Sequence, residues 1–243
     1  MSRGPGSTGR MPRLILASAS PARKAILEKA GIGFEVVVSD VDERAAVETY
    51  VENAGPLSPA DEALMLARTK AEDVASRNEA RNALVLGCDS VFELEGTAYG
   101  KPYEVEVAVQ RWQQMRGNTG TLHTGHWLVD TTGASLRTAT SWLDRAFGVF
   151  TGGTLAEDGE LPAAAETVSS DITFGQPTDE QIRTYAASGE GLNCAGAFTL
   201  EGQATEHIEK VDGDRESVIG VSTAALGRLL ERLNHDITEF QTS

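Results

Sequence analysis

The stretch Leu14-Ile15-Leu16-Ala17-Ser18-Ala19-Ser20-Pro21-Ala22-Arg23-Lys24 decides how this chain is read. The apolar run predicts a buried strand over Arg13 to Ala17, and the periodic residues after Pro21 predict a helix to Ala30, closed by Gly31. Such a strand empties onto hydroxyls, a proline and two cations at a helix start. Backbone N–H groups and the positive end of the helix dipole converge there, Ser18 and Ser20 add donors, and the Arg23 guanidinium can grip phosphate oxygens as a fork. An N-cap at Ser20 with Pro21 at the first helical position explains the same residues without a ligand. Both readings stay open on this segment alone.

Working outward, Phe34 to Val38 reads as a second strand, and Ser58-Pro59 opens a helix. Ala60, Ala63, Leu64, Ala67, Ala71 and Val74 form its apolar face, with Arg68, Lys70 and Glu72 away from the centre of that face. Ala83 to Gly87 is a continuous apolar run ending in Cys88-Asp89-Ser90, which predicts a buried strand presenting the Asp89 carboxylate at its mouth. Val105 to Met115 has helix spacing, while Thr121 to Asp130 and Ser135 to Phe150 read as long strands. Thr151 to Ala165 reads as a surface insertion. Val168 to Phe174 is a further strand, Thr178 and Gln181 form a capping box for a helix to Ala187, and Ser222 opens a last helix to Leu233. The expectation is an α/β fold, a mixed sheet with flanking helices and two lobes around a cleft. Residues 1–12 are read as a disordered lead and 13–243 as a single domain.

A chain of 243 residues, 40% of them hydrophobic, is large enough to bury a real core. Its net charge of −15 argues against nucleic acid as a partner, because a polyanion needs clustered Lys and Arg. Any affinity for phosphate must then be local. Cys88 and Cys194 show neither disulfide nor zinc spacing and read as buried thiols in a reducing compartment. Met1 to Met11 lacks an apolar segment, so neither a signal peptide nor a membrane span is expected there. His123, His126, His207 and His235 are scattered and read as structural rather than as metal ligands.

Four further clusters could carry chemistry. Asp40-Val41-Asp42-Glu43 follows the second strand and equally suits a solvated turn. An ionised Asp89 after an apolar strand costs desolvation unless a metal, a cation or a donor meets it. Pro102 limits where Lys101 points, though an exposed turn lysine fits as well. The loop Gly189 to Gly202 has few large side chains, so its backbone can approach a ligand or simply turn.

In this order the clusters resemble the Maf family of nucleotide pyrophosphatases. LILASASPARKAILEKAGIGFEVVVSDVDE, LARTKA, GCDSV, GKP, CAGAFTLEG and GDRESVIGVS carry the likeness, which covers about residues 13–234. The resemblance implies a fold of the inosine triphosphate pyrophosphatase type and a cytoplasmic homodimer. It also implies hydrolysis of a nucleoside triphosphate to its monophosphate and pyrophosphate, in a house-cleaning role toward non-canonical nucleotides. Asp89 would be the catalytic base, and Glu43 with Asp89 would hold a divalent cation, Mg²⁺ or Mn²⁺. Lys70 and Lys101 would bind phosphates beside Ser18, Ser20 and Arg23. The alternative is a nucleotide-binding regulator of cell division that does not hydrolyse its ligand; retention of Asp89, Glu43, Lys70 and Lys101 together argues against it. Many relatives carry two arginines where this chain has Ala22 and Arg23, and Ser217 replaces a usual Asn. Pyrimidine-preferring members have Arg, Thr and Gln at the positions of Ala22, Ser90 and Glu201, whereas a group acting on 7-methyl-GTP has Glu at the last. Glu201 thus leans toward guanine.

Overall fold

The computed structural model describes residues 12–132 and 161–242. The strand expected at Ser135 to Phe150 and the insertion up to residue 160 lie outside them. Strand β1 (Arg13–Leu16), helix α1 (Pro21–Lys29) and strand β2 (Glu35–Val36) form a parallel β-α-β unit. The second strand is shorter than Phe34 to Val38, although the Val37 N–H still donates to the Leu16 carbonyl at 3.2 Å. Strand β3 (Ala83–Leu94) lies parallel on the other side of β1. Strands β5 (Thr119–Asp130), β6 (Ala163–Phe174) and β7 (Ile208–Asp212) follow antiparallel, giving the order β2-β1-β3-β5-β6-β7. Ala163 to Ala165 therefore belong to β6 rather than to a surface excursion, because they continue its pairing with β5.

Strand β4 (Thr97–Tyr99) folds back onto the far end of β3. Since β5 occupies one edge of β3 from Leu84 to Glu93, β1 and β4 must share the other edge. β1 pairs there up to Leu86, and β4 begins only at Phe92. Among the described residues, the edge between them pairs with no strand. Asp89 sits in that gap. It is thus within β3 rather than at its mouth, because the antiparallel ladder to β5 runs on through Asp89–Gly125 to Glu93–Thr121.

The helices are α2 (Glu43–Ala54), α3 (Pro59–Ala75), α4 (Val105–Met115), α5 (Asp179–Ser188), α6 (Arg215–Ile219) and α7 (Thr223–Arg232). Apolar clusters lie on both sides of the gap. Leu14, Leu16, Leu84 and Leu86 pack under Leu27 and Leu226 at the β1 end. Phe92, Trp112, Phe174 and Phe198 pack edge to face at the β4 end, their centroids 5.3 to 5.8 Å apart. Helix α3 crosses the opposite sheet face, over Val85 and Val129. It comes close because Gly87 and Gly125 lie beneath it: a Cβ at Gly87 would stand 2.2 Å from the Ala67 carbonyl oxygen, and one at Gly125 2.4 Å from that of Ala63.

Candidate active site

The turn after β1 is a capped helix start. Ser20 Oγ accepts from the Arg23 N–H at 3.4 Å, Ser18 Oγ accepts from the Ser20 N–H at 3.2 Å, and Pro21 opens α1. Capping and an anion site are compatible here. Arg23 is buried rather than presented: its Nε donates to the Gly220 carbonyl at 2.8 Å and its Nη1 to Ser18 Oγ at 3.0 Å. Nε and Nη1 are thus engaged by protein, and among the described residues Nη2 makes no hydrogen bond.

Lys70 is also buried, not set away from the centre of its helix face. Close approach of α3 to the sheet explains the difference, since Ala67 and Ala71 lie against Gly87, two residues before Asp89. Lys70 Nζ donates to Asp89 Oδ1 and lies 2.7 Å from Glu43 Oε1. Lys101 Nζ approaches Glu43 Oε2 at 3.4 Å. Burial works against the Lys70 ammonium, yet Asp89 and Glu43 outweigh it, with Arg23 opposing, and raise its pKa above the ordinary value. Burial likewise opposes the Glu43 carboxylate, and Lys70 followed by Lys101 hold its pKa below the usual range.

The acidic stretch before Glu43 divides by role. Asp42 caps α2, accepting from the Ala45 N–H at 3.0 Å, while Asp40 pairs with Arg77 at 3.0 Å. Glu43 alone reaches the cluster. It is carried there by α2, a helix absent from the sequence reading, which packs Ala46, Val47 and Tyr50 on Met65 and Leu66 of α3. Glu62, in the first turn of α3, was also missed. Burial, and then the Asp89 charge, push its carboxyl above the usual range. Glu62 lies opposite the apolar face read from the sequence, so periodicity gave no signal for it.

Ser90 points to the other sheet face, as alternation along a strand requires, and its hydroxyl bonds to Thr124 Oγ1 at 2.9 Å. Ala22 is half-buried on α1, and Glu201 is exposed with its N–H donating to Thr199 Oγ1 at 3.3 Å. Burial and Glu190 raise the Cys194 thiol, with Lys101 opposing and Glu201 adding, so Glu201 and Lys101 share the surroundings of one loop. Cys194 is half-buried rather than buried. Glu190 holds that loop closed by accepting from the N–H groups of Gln203 at 3.0 Å and Ala204 at 3.4 Å. No described helix is long and apolar enough to cross a membrane.

Glu43 and Asp89 share one ammonium, and their oxygens are hard donors. Among the described residues no group of three His, Cys, Asp or Glu forms a protein-only metal cage. A carboxylate pair that leaves other positions to phosphate oxygens fits Mg²⁺ or Mn²⁺.

These features define an α/β protein with cations and carboxylates gathered where a sheet edge opens. The family model described as Maf-like protein matches residues 13–233, and the chain belongs to that family. It is 44% identical over 230 residues to a nucleoside triphosphate pyrophosphatase of Streptomyces avermitilis, covering 95% of each chain. To proteins of the same name it is 42% identical in Leifsonia xyli, over 93% of this chain and 95% of the relative, and 39% identical in Synechocystis, over 94% and 98%.

Proposed function

We infer that the chain is a nucleoside triphosphate pyrophosphatase, releasing a nucleoside monophosphate and pyrophosphate. The observation that carries this reading is the convergence of Asp89, Glu43, Lys70 and Lys101 on the gap in the edge of β3, with the Arg23 charge near enough to act on Lys70. In the proposed reaction the triphosphate lies against Ser18, Ser20, Arg23, Lys70 and Lys101. Asp89 takes a proton from water as its oxygen bonds to the α-phosphorus. The bond from that phosphorus to the bridging oxygen breaks, and Lys70, Lys101 and Arg23 neutralise the departing pyrophosphate. A divalent cation held by Asp89 and Glu43 would supply further charge neutralisation at the phosphate oxygens.

Glu201 supports a guanine base. A carboxylate only accepts hydrogen bonds, which suits the N1–H and N2–H₂ edge of guanine and repels the carbonyls of uracil or thymine. The positive charge of 7-methylguanine adds attraction, and Ala22 leaves room for a purine. The homodimer, the cytoplasmic location and the house-cleaning role belong to the same proposal.

Asp89→Asn tests the chemistry: pyrophosphate release under multiple turnover should fall at least about a hundredfold while the fold is retained. Near-normal release would refute Asp89 as the base. Comparing kcat/KM for 7-methyl-GTP, GTP, UTP and dTTP tests the base, and a clear preference for UTP or dTTP would overturn the role given to Glu201.

A further inference from the structure

His126 lies on β5 with no exposed surface, opposite Cys88 in register, and takes no part in the chemistry proposed above. Its Nε2 accepts the Ser222 N–H at 2.8 Å. A backbone donor at Nε2 places the imidazole proton on Nδ1, which makes no well-formed hydrogen bond among the described residues and has only the backbone of Glu166 and Thr124 beside it. Leaving a buried N–H poorly paired is costly, so an apolar side chain would suit this core better unless Nε2 is needed. Ser222 shows the need. It is itself fully buried at the start of α7, and its N–H has nothing but His126 to donate to among the described residues.

The turn that His126 secures is the one that holds Arg23. Two residues before Ser222, the Gly220 carbonyl accepts from Arg23 Nε at 2.8 Å. Gly220 has φ 146°, and a Cβ there would stand 3.1 Å from Arg23 Cγ. Arg23 in turn reaches Ser18 at 3.0 Å. One chain of hydrogen bonds and backbone thus runs from the interior of the sheet to the β1–α1 turn. Burial, with Arg23 adding to it, lowers the His126 pKa to about 4, which keeps its acceptor in place at neutral pH.

We propose that His126 is a positioning residue for phosphate binding, setting the Gly220–Ser222 turn so that Arg23 presents Nη2 toward the triphosphate. This rests on the reading of Arg23 as a phosphate ligand. The test uses the full chain and measures the KM and kcat for triphosphate hydrolysis, with pyrophosphate as inhibitor. His126→Leu should raise the KM and the pyrophosphate inhibition constant about tenfold with kcat changed less than about threefold. His126→Gln, which restores an acceptor, should return both constants to near normal. In an Arg23→Ala background, His126→Leu should add nothing. Gly220→Ala strains the turn at its positive φ and crowds Arg23 Cγ without touching His126, and it should reproduce the rise in KM if His126→Leu does not fold. Unchanged constants in a folded His126→Leu or in Gly220→Ala, or an equal rise with and without Arg23, would overturn the proposal. An Arg23→Ala protein of normal affinity would instead refute the phosphate reading of Arg23, and the proposal with it.

Discussion

Gly87→Ala should disable the site without touching any of its polar groups. The added Cβ would lie 2.2 Å from the Ala67 carbonyl oxygen and 2.8 Å from the Ala71 nitrogen, where ordinary contact begins at 3.4 Å. Both atoms are helix backbone, so no side chain can swing aside. Helix α3 must retreat by about 1 Å, and such overpacking costs about 1 to 3 kcal/mol. Lys70 precedes Ala71 and moves with it, away from Asp89 on β3. Displacing catalytic groups by about 1 Å lowers turnover by about a hundredfold. Pyrophosphate release at saturating triphosphate, at a temperature where the variant is folded, measures the second effect; urea unfolding measures the first. A variant with turnover within about threefold of the parent and an unchanged unfolding midpoint would refute the argument that small residues set the Lys70–Asp89 contact.

His126 should also mark the pH profile of stability. Its pKa falls from an ordinary 6.5 to about 4 on folding, so the unfolded chain takes up the proton first as pH drops. The contribution is full above 6.5 and is lost on descending toward 4, amounting to roughly 2 kcal/mol between pH 7 and pH 5. Urea unfolding of the parent and of His126→Gln at both values checks it, and equal losses in the two proteins would contradict it. Gly227→Ala, within α7 with its nearest new contact an ordinary 3.9 Å to Ile237, should stabilise the protein by about 0.5 to 1 kcal/mol in the same assay. Chelation of divalent cations should abolish pyrophosphate release, and turnover that survives it would remove the cation from the proposal.

Local chemistry made much of this chain legible before any coordinates. Pro21 after Ser20, the Thr178–Gln181 box and Ser222 mark helix starts because each cap is satisfied within three residues. The apolar runs at Leu14 to Leu16 and Ala83 to Gly87 read as strands because they are buried on both faces. The family motifs named Glu43, Lys70, Asp89 and Lys101 one by one. Their meeting was a tertiary matter. Lys70 is buried only because glycines distant from it in sequence let α3 approach the sheet, and Glu43 arrives on a helix whose short apolar face gives little periodic signal. Asp89 looked like a strand end because the apolar run stops there, but pairing with β5 carries β3 onward to Glu93, beyond that apolar run. Arg23 is aimed by Gly220, almost two hundred residues away, and His126 by a backbone N–H that no sequence pattern reveals. The sequence by itself determined which residues can bear charge and where elements begin, since caps and periodicity act over one or two turns. Only the tertiary structure decided which charges share a space, because that depends on strand register and on how closely one helix can lie against a sheet.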